Sequence, residues 1–212
     1  MRLLRRSSLA EVVAAWLRAE MDSPRFGHHL RLGDVDRRLI EQPDLNDPAE
    51  NALRRQLLRY RDDILTAIPN DTVWWEAELS GEDLPDLSAI NYPAWEIYSG
   101  GTGKLAAVAE AIRRGWCPAV TEIVIRDGLA AIRENVRGIH EALKAGTAVG
   151  PLVLLGRSAD GAFTVIEGNK RAAALCWRHY LDRFPCAGIP VFVGVSPARR
   201  PWLSPQTGRP SM

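Results

Sequence analysis

The chain has 212 residues, with 27 basic and 26 acidic side chains and a formal net charge of +1. This balance gives no global argument for a nucleic-acid binder, because such proteins usually carry a strong basic excess. With 46% hydrophobic and 25% charged residues, the composition is that of an ordinary globular protein with enough apolar residues for a sizeable core.

Two features of the sequence bear on location. The N-terminus is basic, but Glu11, Arg18 and Glu20 interrupt its apolar residues, so we expect neither a signal peptide nor a membrane span. The cysteines are three in number, widely spaced and outside any CxxC pair: Cys117, Cys176 and Cys186. This pattern predicts neither a disulfide framework nor a zinc site. We therefore expect free thiols in a cytoplasmic protein that does not contact membranes.

The first third of the chain is predicted to be helical. Ser8 and Glu11 form a capping-box pattern ahead of an apolar helical stripe, and Asp47 followed by Pro48 is a typical start for a second helix. The inward stripe of that second helix is Leu53, Leu57, Tyr60, Ile64 and Ile68. Residues 1–70 are therefore predicted to be an N-terminal helical segment.

The middle of the chain changes character at residue 71. Aromatic and β-branched residues alternate with acids over residues 71–80, which predicts a half-buried strand. After an acidic loop, one helix is predicted from about Thr102 to Arg114 and closed by Gly115. Another is predicted from near Asp127 to Gly146.

The last part of the chain has the pattern strand, turn, strand, helix, strand. The predicted segments are strand 152–155, turn 158–161, strand 163–166, helix 172–181 and strand 189–193. The fold class is thus predicted as α+β: a small mixed β-sheet flanked by helices over residues 71–196, with the N-terminal helical extension. Residues 197–212 are rich in Pro, Ser and Arg and are predicted to be a disordered tail.

The most informative segment is Glu167-Gly168-Asn169-Lys170-Arg171, named here the EGNKR corner, where a strand passes directly into a helix. Glycine permits the tight turn, and the unpaired first amides of a helix attract anions. Lys170 and Arg171 add positive charge, while Glu167 is suited to hold a metal ion or to take a proton from a hydroxyl.

An interpretation without function is also open for these residues. Gly168 can be a simple turn residue, and Lys170 and Arg171 can be a solvated first helical turn. A cation near a helix N-terminus, however, interacts unfavourably with the helix dipole, at a cost of about 0.3 kcal/mol. This small cost favours an anionic ligand at the corner.

The run "TVIEGNKRAAAL", with its flanking hairpin and the closing "IPVFVGV" strand, resembles the ParB/sulfiredoxin superfamily. Members carry a G-x-x-R box at this strand-to-helix corner, followed by small residues. Residues 168–171 occupy the box in this chain, and Ala172 and Ala173 occupy the small positions. The resemblance covers roughly residues 126–195.

The resemblance implies a fold of that type and nucleotide phosphates bound at Gly168, Asn169, Lys170 and Arg171. Known activities in the superfamily include CTP-dependent DNA clamps, ATP-dependent reduction of a sulfinic acid and an ADP-dependent kinase. Asn169 stands where sulfiredoxins have their cysteine, so sulfinic acid reduction is not expected. Seventeen residues follow Val195, too few for the helix-turn-helix domain of partition proteins, so that function is not expected either.

A second anion-binding loop is a further hypothesis for Gly101, Thr102, Gly103 and Lys104. The segment "YSGGTGKL" departs from a P-loop, because Tyr98 stands where the first glycine is needed. Thr102 is predicted to cap the next helix, with the loop beside the EGNKR corner. The alternative is a glycine-rich linker.

These observations predict a nucleotide-dependent enzyme, either a phosphotransferase (kinase) or an NTP hydrolase. Its cofactor would be Mg²⁺ with ATP, ADP or CTP, its partner a small-molecule phosphate acceptor, and Glu167 its base or metal ligand. The alternative is a nucleotide-gated module that binds DNA or protein through its N-terminal helices without catalysis of its own. The net charge does not support DNA as a partner.

Overall fold

A computed structural model describes residues 1–21, 33–116 and 118–198. Six strands lie in these ranges: β1 (Arg2–Ser7), β2 (Val73–Leu79), β3 (Ser88–Ala89), β4 (Leu152–Gly156), β5 (Phe163–Glu167) and β6 (Ile189–Val195). The same ranges contain eight α-helices: α1 (Leu9–Met21), α2 (Asp34–Glu41), α3 (Pro48–Leu57), α4 (Asp62–Leu65), α5 (Pro93–Tyr98), α6 (Leu105–Arg113), α7 (Ile123–Lys144) and α8 (Asn169–Cys176).

The described strands form one mixed sheet in the order β1-β2-β6-β4-β5-β3. Strand β4 runs parallel to β6, and β3 runs parallel to β5, while the remaining pairs are antiparallel. All five residues of β4 are buried, as expected for a continuous apolar strand that helices cover on both faces. The predicted α+β class with a mixed sheet flanked by helices is confirmed.

The N-terminal segment differs from the prediction because it begins with a strand. Strand β1 pairs with β2 along the sheet edge, with Arg2 opposite Glu78 and Ser7 opposite Trp74. Helix prediction missed it because its RLLRRS sequence has few β-branched or aromatic residues. Pairing with the distant β2 stabilises it instead, aided by an ion pair of 2.7 Å between Arg5 Nε and Glu76 Oε2.

Both predicted helix starts in this segment are confirmed. The Ser8 amide donates to Glu11 Oε2 at 2.9 Å and the Glu11 amide donates to Ser8 Oγ at 3.2 Å, which is a capping box. The Ala49 amide donates to Asp47 Oδ1 at 2.8 Å. The single long helix predicted after Asp47 is wrong, because α3 ends at Leu57 and a 3₁₀ turn, Arg59–Arg61, separates it from α4.

The C-terminal pattern is confirmed as a β4–β5 hairpin followed by α8 and β6. The helix differs in its limits: it begins at Asn169, and its last residues, Trp177–Leu181, form a π-helical turn. Helix α7 begins at Ile123, four residues before the predicted start.

The two predicted parts of the chain share one core. A single buried apolar cluster contains Val12 and Trp16 of α1 together with Val165 of β5 and Ala173 of α8. Residues on both sides of the boundary predicted near residue 70 therefore pack into the same hydrophobic core. Among the described helices, none has the length and apolar character needed to cross a membrane. The predicted tail from residue 199 onward, like Cys117, lies outside the described residues.

Candidate functional site

A cavity of about 410 Å³ lies at the EGNKR corner, and all five residues of the corner line it. We name it the corner cavity. Its other walls come from distant segments, represented by Glu20 of α1, Arg61 of the 3₁₀ turn, Trp95 of α5 and Leu143 of α7. The volume falls within the range of about 300–1,000 Å³ that is usual for small-molecule sites.

The backbone of the corner depends on Gly168. Its φ is +90°, in the left-handed region, and a Cβ at this position would lie 2.7 Å from Leu152 Cδ2. Helix α8 begins at the next residue, and its first turn closes when the Ala172 amide donates to the Gly168 carbonyl at 2.8 Å. The amides that precede this bond are the ones that have no acceptor within a helix, which makes the start of α8 a favourable place for an anion.

Replacing Gly168 with alanine is expected to lower the free energy of unfolding by about 2–4 kcal/mol. The left-handed conformation costs alanine roughly 1–2 kcal/mol, and the contact with Leu152 adds an overpacking cost. Denaturant unfolding measures the effect. The matched control is Gly138→Ala in α7, where a Cβ meets nothing within 4 Å. The control should stabilise the protein by about 0.5–1 kcal/mol. Equal changes in the free energy of unfolding for the two variants would contradict the special role of Gly168 in the backbone of the corner.

Glu167 lies between two guanidinium groups. Arg171 Nη2 donates to Glu167 Oε1 at 2.9 Å, whereas Arg61 Nη2 lies 3.6 Å from Oε2. With Lys170 also on the cavity wall, the cations outnumber this carboxylate. The predicted cations of the corner are therefore at the cavity, but Arg171 is ion-paired and its side chain is only 16% exposed, so it is not a solvated side chain.

Asn169 has a contact that the sequence did not indicate. Its side chain is buried, and its Oδ1 accepts a hydrogen bond from the Ile90 amide at 3.1 Å. This bond ties the start of α8 to the residue that follows β3. Asn169 thus braces the corner in addition to lining the cavity.

The proposed second anion loop lies elsewhere. The Gly103 carbonyl accepts from the Ala89 amide at 2.8 Å, and Lys104 Nζ donates to the Asp86 carbonyl at 3.1 Å. Helix α6 begins at Leu105, so Thr102 does not cap it; Thr102 Oγ1 instead donates to the Ser99 carbonyl at 2.8 Å. Among the described residues that line the corner cavity, none comes from Gly101 to Lys104. The structure does not bring this loop to the corner cavity.

Two charged residues of the cavity were missed in the sequence, Glu20 and Arg61. Glu20 is 4% exposed, and its Oε1 accepts from Trp16 Nε1 at 3.3 Å. Burial raises the pKa of Glu20 to about 7, and the nearby negative charge of Glu167 adds to the shift. Neither residue belongs to a local sequence motif, and each reaches the cavity only through tertiary packing. The sequence therefore contains no signal for either one.

Glu167 is also predicted to hold Mg²⁺. Glu167 Oε1 is occupied by the ion pair with Arg171 at 2.9 Å, whereas Oε2 is 3.6 Å from Arg61, so Oε2 is the oxygen with room for a further ligand. In the part of the chain that the structure describes, no group of three or more His, Cys, Asp or Glu side chains is placed to hold a metal ion. Magnesium usually binds through one or two carboxylates together with substrate phosphates, so a Mg²⁺ ion at this corner stays a prediction.

The described cysteines lie away from the corner cavity. Cys176 is buried, and burial raises its pKa to about 12, while burial also raises the pKa of Cys186. Thiols with raised pKa values are poor nucleophiles at neutral pH.

We expect simultaneous replacement of Cys117, Cys176 and Cys186 by alanine or serine to leave activity within about twofold, because the two cysteines that the structure describes have raised thiol pKa values and do not line the corner cavity. We also expect no repair of a sulfinylated peroxiredoxin. Steady-state rates and mass spectrometry of the reacting protein provide the measurements. Detection of a thiosulfinate on any of the three cysteines would contradict this prediction.

Comparison with known proteins gives no match: no family model, no curated protein and no solved structure is significantly similar to this chain.

Proposed function

We propose that the corner cavity binds the phosphate groups of a nucleotide and that the chain is a nucleotide-dependent phosphotransferase or hydrolase with a ParB/sulfiredoxin-type fold. The observation that carries the proposal is the arrangement at the start of α8. Arg61, Lys170 and Arg171 line a cavity of ligand size together with the first turn of this helix. Guanidinium groups and helix amides are the donors that phosphate oxygens prefer.

The remaining walls of the cavity suit the rest of a nucleotide. Trp95, Ile139 and Leu143 also line the cavity and provide an apolar and aromatic surface. Such a surface can contact a base or a sugar while the phosphates occupy the polar end. The sequence resemblance of residues 168–171 to a nucleotide phosphate box supports the same placement.

Phosphoryl transfer works mainly through positioning and charge neutralisation. Arg61 and Arg171 would neutralise the phosphates, and Glu167 would hold both guanidinium groups in place. Its Oε2 lies 3.6 Å from Arg61, beyond hydrogen-bond distance, so this oxygen is suited to accept a proton from a hydroxyl or water. Mg²⁺ would enter with the nucleotide and neutralise its phosphates.

A nucleotide-gated binding module is the second candidate. It is favoured by the 2.9 Å ion pair between Glu167 and Arg171, which gives Glu167 a structural role without chemistry. Glu20 and Arg61 also bring N-terminal elements to the cavity, so a ligand there would contact the segment proposed to meet a partner.

Calorimetric titration with ATP, ADP, CTP and GTP in the presence of Mg²⁺ tests the shared premise of both candidates. Binding accompanied by turnover supports the enzyme. Binding without turnover, together with salt-sensitive retention of DNA, supports the module. If none of the four nucleotides binds, the proposed site is wrong.

A further inference from the structure

Glu20 is a second acid of the corner cavity. It is located one residue before the end of α1, it is 4% exposed, and it lines the same cavity as Glu167 and Arg171. Its one hydrogen bond that the structure records comes from the neutral Trp16 indole, at 3.3 Å. Unlike Glu167, it is not within ion-pair distance of a cation in the described part of the chain.

The groups around Glu20 come from three elements. Its own helix contributes Trp16, the 3₁₀ turn contributes Tyr60 and Arg61, and the EGNKR corner contributes Glu167 and Arg171. A phosphate held by Arg61 and Arg171 would add negative charge to a cavity that already contains two carboxylates. Like charges in a partly buried site favour the protonated form of the weaker acid.

We propose that Glu20 is the proton-exchanging acid of the corner cavity and that a phosphate-bearing ligand binds together with a proton taken up by the Glu20 carboxylate. This inference rests on the proposed function, because it concerns the same phosphate site. The proton comes from solvent, adds to a Glu20 oxygen on binding and returns to solvent when the ligand leaves.

The sign of the pH dependence follows from linkage. Burial raises the pKa of Glu20 to about 7 in the free protein, and a bound phosphate raises it further. Ligand affinity should therefore increase as the pH falls from about 8.5 to 7, by at most about tenfold per pH unit for one proton. Below the pKa of the free protein, Glu20 is already protonated and its contribution levels off.

Calorimetry with ADP and with inorganic pyrophosphate, in two buffers of different ionisation enthalpy at about pH 7.5, measures the protons taken up on binding. The wild type should take up a substantial fraction of one proton more than Glu20→Gln, which cannot ionise. The ligand's own protonation is common to both proteins and cancels in this difference. Glu134→Gln, at an exposed position of α7, is the matched control and should behave as the wild type.

The outcomes separate the two proposals. Binding with equal proton uptake in the wild type and Glu20→Gln overturns the role of Glu20 alone. No binding of either probe, in any protein at either end of the pH range, overturns the phosphate site and this inference with it. If Glu20→Gln does not fold, carboxyl NMR of the ¹³C-glutamate-labelled wild type decides. A carboxyl that titrates near neutral pH and shifts upward with ligand is expected, and its absence overturns the inference.

Discussion

Replacing Glu167 with glutamine is expected to lower nucleotide turnover at least ~10²-fold, the lower end for general acid–base catalysis, and to leave nucleotide affinity within a few-fold. Glutamine keeps the shape of the side chain and still accepts a hydrogen bond from Arg171. It cannot take a proton, and it removes the charge that Arg61 and Arg171 face at 3.6 and 2.9 Å.

Steady-state rates and nucleotide titrations on the two proteins provide the measurement. The control is Glu134→Gln on the exposed side of α7, which should leave both quantities unchanged. Equal turnover in the wild type and Glu167→Gln would show that Glu167 serves only as an ion-pair partner. The nucleotide-gated module would then be the better account of the cavity.

Arg171→Ala is expected to weaken nucleotide binding by about 1.5–3 kcal/mol, or roughly 10- to 150-fold in the dissociation constant. The loss corresponds to charge-assisted hydrogen bonds from a guanidinium to phosphate oxygens. Arg171→Lys keeps the charge but loses the bidentate geometry, so an intermediate loss is expected. Calorimetric titration provides the measurement.

Because Arg171 is largely covered and pairs with Glu167, the variants need a stability measurement beside the titration. Glu167 still faces Arg61 when Arg171 is removed, so the fold should persist. Arg157→Ala, at an exposed position after β4, is the matched control for loss of an arginine. Unchanged affinity in a folded Arg171→Ala protein would refute the phosphate assignment.

Several structural features could be predicted from the sequence because they depend on interactions between neighbouring residues. The β4–β5 hairpin, β6 and the capping box at Ser8 all follow from residues close together in the chain. The glycine at the EGNKR corner belongs to the same class. Glycine tolerates the left-handed conformation that this corner adopts, with φ +90° at Gly168.

Other features depended on contacts between distant residues. Strand β1 has no strong strand propensity and is ordered by β2, more than sixty residues further along. Glu20 and Arg61 have no motif around them, yet packing of α1 and the 3₁₀ turn brings both to the cavity beside Glu167. The loop at Gly101 to Lys104 has a suggestive composition, but its hydrogen bonds to Ala89 and Asp86 hold it elsewhere.

One physical reason separates the features that the sequence predicted from those that it did not. Backbone conformation, capping and hairpin turns depend on interactions within a few residues, which periodicity and residue type reveal. The charge balance of the cavity depends instead on which side chains tertiary packing brings within a few ångströms of each other. The sequence by itself therefore determined the corner and its neighbouring strands. Only the tertiary structure placed a second acid and a second arginine beside them.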